Sequence, residues 1–76
     1  MGRERRTLLR VLRAAHEPSL TQGRVAKAAG MHRLRYWAIE SGDIEPTRAE
    51  QGAIAVALGV KASDIAWPVR EQAKAS

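Results

Sequence analysis

There is no cysteine in this chain, so neither a disulfide nor a thiolate metal site can support the fold. No apolar run is long enough to cross a bilayer, and the N-terminus enters charged residues at once, unlike a secretory leader. No stretch alternates polar and apolar with period two, so the ordinary signature of a half-buried strand is missing. Internal repeats and low-complexity tracts are missing too. What remains, at 76 residues, is one domain near the lower limit for a self-sustaining core. These absences suit a reducing cytoplasm and predict no membrane partner.

Acidic residues are scarce in one half only. Residues 1–38 carry nine basic and two acidic side chains, whereas residues 39–76 carry four basic and six acidic ones. Ten of the 13 basic residues are arginine. A basic half on so small a domain reads either as a phosphate-binding face or as a solvated helix surface, and charge alone does not separate the two.

Apolar residues recur at helical spacing. The pattern predicts five short helices and no strands. The first runs from Glu4 to His16, with Leu8, Leu9, Leu12 and Ala15 on its inner face and Arg3, Arg6, Arg10 and Arg13 on another, and Glu17-Pro18 stops it. Thr21 caps a second helix, Gln22 to Ala29, which buries Val25, Ala26 and Ala29. Gly30 occupies the left-handed position that ends it. A third runs from His32 to Ser41 and ends at Gly42. Thr47-Arg48-Ala49-Glu50 forms a capping box for a fourth, whose inner residues are Ile54, Ala57 and Leu58, with Gly59 closing it. Ser63-Asp64-Ile65 is a last short turn before Pro68. The expected domain spans residues 1–69, and residues 70–76 form a flexible polar tail.

The third helix contains "MHRLRYW". At 100° per residue, Tyr36 and Ile39 share one side and Leu34, Trp37, Ala38 and Ser41 the other. Only one side can enter the core. Met31 and Val25 are placed to meet Tyr36 and Ile39, which leaves Leu34 and Trp37 pointing outward beside Arg33. An outward Leu–Trp pair calls for a partner.

Two short helices joined by a glycine turn in a basic protein suggest a helix-turn-helix. Thr21-Gln22, Val25-Ala26, Ala29-Gly30-Met31, Ile39-Glu40-Ser41-Gly42, Pro46 and Ala57-Leu58-Gly59-Val60 follow in order at nearly the spacing of one family. Over residues 8–65 the chain resembles the phage-repressor and Cro-like (Xre family) helix-turn-helix domain. The resemblance implies an all-α, five-helix, lambda-repressor-like fold that binds double-stranded DNA with the third helix in the major groove. It places Arg33, Leu34, Trp37 and Ala38 in base-facing positions. Gln22 takes the position that bonds a phosphate and steadies the recognition helix. Thr21, His32, Arg35, Arg48 and Arg10 are further candidates for phosphate contact.

The resemblance also implies a homodimer on a pseudo-palindromic operator, with Val60, Ile65, Trp67 and Val69 as the candidate interface. Trp67 has an equal alternative, as a cover over the core of its own protomer. The cellular setting implied is cytoplasmic, in a bacterium or a phage-infected cell. Two departures shift the electrostatics: Asp43 and Glu45 stand where the family carries basic residues, and the arginines of the first helix are placed to compensate. For those arginines, simple solubility is the equal alternative.

His16 and His32 have neither cysteine nor suitably spaced carboxylate to complete a metal site. No nucleophile–base pair or phosphate-cradling glycine loop is present, so neither an enzyme nor a cofactor is expected. So short a domain leaves no room for a small-molecule effector. A protein-interaction module that presents Leu34 and Trp37 to a protein partner is the competing expectation.

Overall fold

The computed structural model describes residues 6–68. Arg3, Arg5, Val69 and the expected tail lie outside the described residues. Four α-helices carry the fold: α1 (Leu9–Ala15), α2 (Gln22–Ala28), α3 (Arg33–Ser41) and α4 (Arg48–Leu58). Where a fifth helix was expected there is a single 3-10 turn, Ala62–Asp64. It leads into β2 (Ile65–Ala66), which pairs in parallel with β1 (Thr7–Leu8); Thr7 faces Ile65, and Leu8 faces Ala66. The five-helix, strand-free expectation is therefore corrected at both flanks. Two-residue strands are too short to show alternation, so period counting could not detect them.

The pairing also shortens α1. The helix starts at Leu9, not Glu4, because Thr7 and Leu8 are held extended, and no side chain caps its first turn. Its inner face is correspondingly narrow. Leu9 is buried and Leu12 partly so, whereas Leu8 and Ala15, both assigned inward from the sequence, are exposed.

The other helices start and stop where local chemistry dictates. The Thr21 hydroxyl accepts the Arg24 N–H at 3.1 Å to open α2. Gly30, at φ 74°, then turns the chain so that Met31 N–H reaches Ala26 C=O at 2.9 Å. Gly42 at φ 85° and Gly59 at φ 74° close α3 and α4 in the same left-handed way. The Thr47–Glu50 capping box is complete, with bonds of 3.0 and 2.9 Å in its two directions.

Val25 and Ala26 of α2, Tyr36 and Ile39 of α3, Ile54, Ala55 and Leu58 of α4, Leu9 and Ile65 form one core. Burying each isoleucine contributes roughly 2 kcal/mol. Ala26, at 1% exposure, belongs to the core, and α2 packs against both α3 and α4, so a larger side chain there would overpack the motif. The core thus fixes the inner side of α3, and with it the direction its outer side faces.

Candidate nucleic-acid interface

Three consecutive features of α3 build the outer surface. Arg33 opens the helix, Leu34 follows, and Trp37 lies one turn further along the same face. Leu34 is 63% exposed and Trp37 47%. With Gln22 from the start of α2 these three line one shallow cavity of about 350 Å³. The Arg33 stem runs past Gly23, where an added Cβ would sit 3.5 Å from its Cδ. Ala38 is only partly exposed and offers a smaller contact.

Behind this surface lies a polar cluster centred on Glu40. Arg13 of α1 grips both of its oxygens, through Nε at 2.7 Å and Nη2 at 3.0 Å. The Gln22 amide donates to Oε1 at 2.6 Å, and the Tyr36 hydroxyl to Oε2 at 2.9 Å. Arg13 also reaches the Leu20 carbonyl at 3.1 Å, tying down the loop before α2. Burial opposes the charge on Glu40, yet the bonds from Arg13, Gln22 and Tyr36 outweigh it and hold the carboxyl below its usual range. Burial, reinforced by the neighbouring carboxylate, pushes the Tyr36 hydroxyl up, so it stays a donor. The bond to Glu40 likewise raises the Arg13 guanidinium.

This cluster was not anticipated. From the sequence, Arg13 is expected on the arginine face of the first helix, and Glu40 enters only through the Ile39-Glu40-Ser41-Gly42 motif. In the structure Arg13 turns inward and locks α1, α2 and α3 together. The one legible sign was Tyr36 and Glu40 at i,i+4 with Gln22 opposite.

The expected phosphate-contacting residues fall in several places. Thr21 and His32 occupy the caps of α2 and α3. The Thr21 hydroxyl accepts a backbone bond there and keeps its own proton to donate. His32 accepts the Leu34 N–H on Nδ1 at 3.1 Å, which leaves Nε2 to donate when the ring is neutral. Gln22 spends one amide bond on Glu40. Arg10 and Arg48 are exposed. Arg35 forms a fork with Glu50 at 2.6 and 2.9 Å, which stabilises its guanidinium charge. The Arg35 and Thr47 bonds in turn draw Glu50 down to about 2.

Of the residues expected at a dimer interface, Ile65 is corrected. At 1% exposure it belongs to the protomer core, and its backbone is paired with Thr7. Val60 and Trp67 are partly buried against that core, and the Trp67 indole N–H donates to the Ala62 carbonyl at 3.2 Å. Trp67 thus rests on the core of its own protomer and remains partly exposed.

Among the described residues, no cluster of three His, Asp or Glu could hold a metal, and no helix is long and apolar enough to cross a membrane. A family model described as a helix-turn-helix domain matches residues 6–67, most of the chain. No curated protein and no solved structure matches it.

Proposed function

The chain belongs to the helix-turn-helix domain family, and on that premise we propose that it is a sequence-specific regulator of transcription that binds double-stranded DNA. Its simplest form is a small Cro-like repressor that occupies a pseudo-palindromic operator as a homodimer and excludes polymerase. The observation that carries this reading is the outer side of α3: Arg33, Leu34 and Trp37 are exposed on a helix whose inner side is fixed by Tyr36, Ile39 and the Glu40 cluster.

In the major groove, the Arg33 guanidinium bonds guanine O6 and N7, and Leu34, Trp37 and Ala38 supply apolar contact. Thr21, Gln22 and His32 present donors near the starts of α2 and α3, where flanking phosphates fix the register. Arg10 and Arg48 add charge along the backbone. One such module reads too few base pairs to be selective, so two copies on related half-sites are expected. With Ile65 in the core, Val60, Trp67 and Val69 remain as interface candidates.

The test is a binding selection from random duplex DNA, followed by anisotropy of the enriched pool at several salt concentrations. A two-fold symmetric motif, with half-site centres about one helical turn apart and a steep salt slope, is the expected result. Failure to enrich any motif would overturn it.

One observation favours a second reading. Arg35 is already neutralised by Glu50, and the exposed Asp43 and Glu45 follow α3 directly. That leaves less positive charge beside the Leu34–Trp37 pair and suits a protein partner, as in an adaptor or antitoxin. Arg33→Ala and Gln22→Ala separate the two: DNA affinity collapses under the first reading, and partner binding survives under the second. Circular dichroism checks the fold of both variants.

A further inference from the structure

The cavity between α2 and α3 combines two surfaces of different chemistry. Leu34 and Trp37 give it apolar walls, and Arg33 stands at its edge with no carboxylate partner among the described residues. Arg13 and Arg35, by contrast, are each held by a glutamate. The fourth lining residue, Gln22, already donates to Glu40. The hollow therefore offers one unspent guanidinium and a patch that water covers poorly.

A base edge made only of hydrogen-bonding atoms would satisfy Arg33 and leave the walls unmatched. In the major groove only one standard base, thymine, presents a carbon group, its C5 methyl. 5-Methylcytosine places the same group at the same point of the ring. Guanine, with O6 and N7 side by side, matches the guanidinium. Arg33 and Leu34 are consecutive, and Trp37 is 4 residues beyond Arg33, roughly 6 Å along the axis. Stacked base pairs are about 3.4 Å apart, so one cavity of this size spans neighbouring pairs.

We propose that this pocket reads a 5-methylpyrimidine next to a guanine, with the methyl between Leu34 and Trp37 and the guanine on Arg33. The inference rests on the DNA-binding reading above and names the step that this reading leaves open. Trp37 and Leu34 are then specificity-determining residues, and the methyl is the feature they detect.

The experiment uses the full chain and three random duplex libraries. One is ordinary DNA, one has uracil throughout in place of thymine, and one has 5-methylcytosine throughout in place of cytosine. The ordinary library should enrich a thymine–guanine neighbour in each half-site. Replacing that single thymine by uracil in the selected duplex should weaken binding about fourfold per half-site, the loss of one buried methyl. In the third library, 5-methylcytosine should replace thymine beside guanine. Its enrichment above thymine would identify a methylated site as the natural ligand, parity would identify the shared methyl as what is read, and its exclusion beside guanine would overturn the 5-methylpyrimidine assignment.

Trp37→Ala should abolish the difference between thymine and uracil while keeping the preference for guanine. Arg33→Ala should lose most of the affinity and, in the residual binding read at low salt, erase the preference for guanine while the thymine–uracil difference remains. Leu34→Ala supplies a second wall variant should Trp37→Ala lose the helical dichroism of the parent. Equal binding of thymine and uracil duplexes by the parent protein overturns the pocket assignment and leaves DNA binding standing. Absence of binding to every duplex overturns both.

Discussion

Arg13 and Glu40, 27 residues apart in the chain, meet through two parallel hydrogen bonds of 2.7 and 3.0 Å. Their side chains are only 19% and 8% exposed. Removing one partner therefore strands a charge in a poorly hydrated place, and the loss exceeds the worth of the pair itself. Glu40→Ala should destabilise the domain by about 3 kcal/mol, measured by urea denaturation. A variant within about 0.5 kcal/mol of the parent, the range of ordinary surface substitutions, would show that the cluster does not hold the helices together. The double variant Arg13→Met, Glu40→Leu should recover much of the stability, because neither charge is then left alone.

Acid should reveal the same carboxylates. Glu40 and Glu50 both titrate lower in the folded state than the ordinary 4.5, Glu50 at about 2. Protonation therefore favours the unfolded chain, and the contribution is complete above about pH 4.5. It is lost as pH falls from there through the folded values. The melting temperature should be flat near neutrality and decline below pH 4.5. Glu50→Gln should reduce the steepness of that decline toward pH 2. An unchanged slope would remove Glu50 from the account.

Two glycines should respond in opposite directions to alanine. Gly23 lies in the first turn of α2, and a Cβ there meets Arg33 Cδ at an ordinary 3.5 Å. Gly23→Ala should stabilise by roughly 0.5 kcal/mol and leave DNA affinity within about twofold, a change of ~0.4 kcal/mol. Gly30 has open space around its Cα but a φ of +74°. Gly30→Ala should cost about 1 kcal/mol through backbone strain alone. Thermal melts of the two variants decide the matter.

Glu50 serves two partners, the Thr47 N–H and the Arg35 guanidinium. Glu50→Gln retains an acceptor for the cap and weakens the hold on Arg35. Under the DNA-binding reading, the freed arginine should steepen the dependence of binding on salt by about one unit of slope. An unaltered slope would place Arg35 away from the phosphates.

Much of the fold was legible because its instructions are local. Thr21, Gly30, Gly42, the Thr47–Glu50 box and Gly59 each act over a few residues, and each appears where the sequence put it. The facing of Tyr36 and Ile39 inward, with Leu34 and Trp37 outward, followed from helical period and proved right. The misses involve partners distant in the chain. The start of α1 depends on a pairing with residues 65–66, and the direction of Arg13 depends on a glutamate two helices away. Ile65 was assigned to an interface because an apolar residue near a chain end looks exposed until its strand partner is known. Glu50 was recognised as a cap, but its second role needs Arg35 to be brought alongside. Periodicity contains none of this information.

The Thr7–Ile65 pairing has a consequence for the order in which the domain assembles. It joins residues 58 positions apart through a ladder only two residues long. Closing so large a loop from an unfolded chain costs ~3.6 kcal/mol in entropy by the logarithmic law, more than so short a ladder returns. The two segments can meet only after α2, α3 and α4 have condensed and shortened the path between them. The clasp is then a late event in folding and an early one in unfolding. Amides at Thr7 and Ile65 should exchange with solvent well before those of Tyr36 and Ile39.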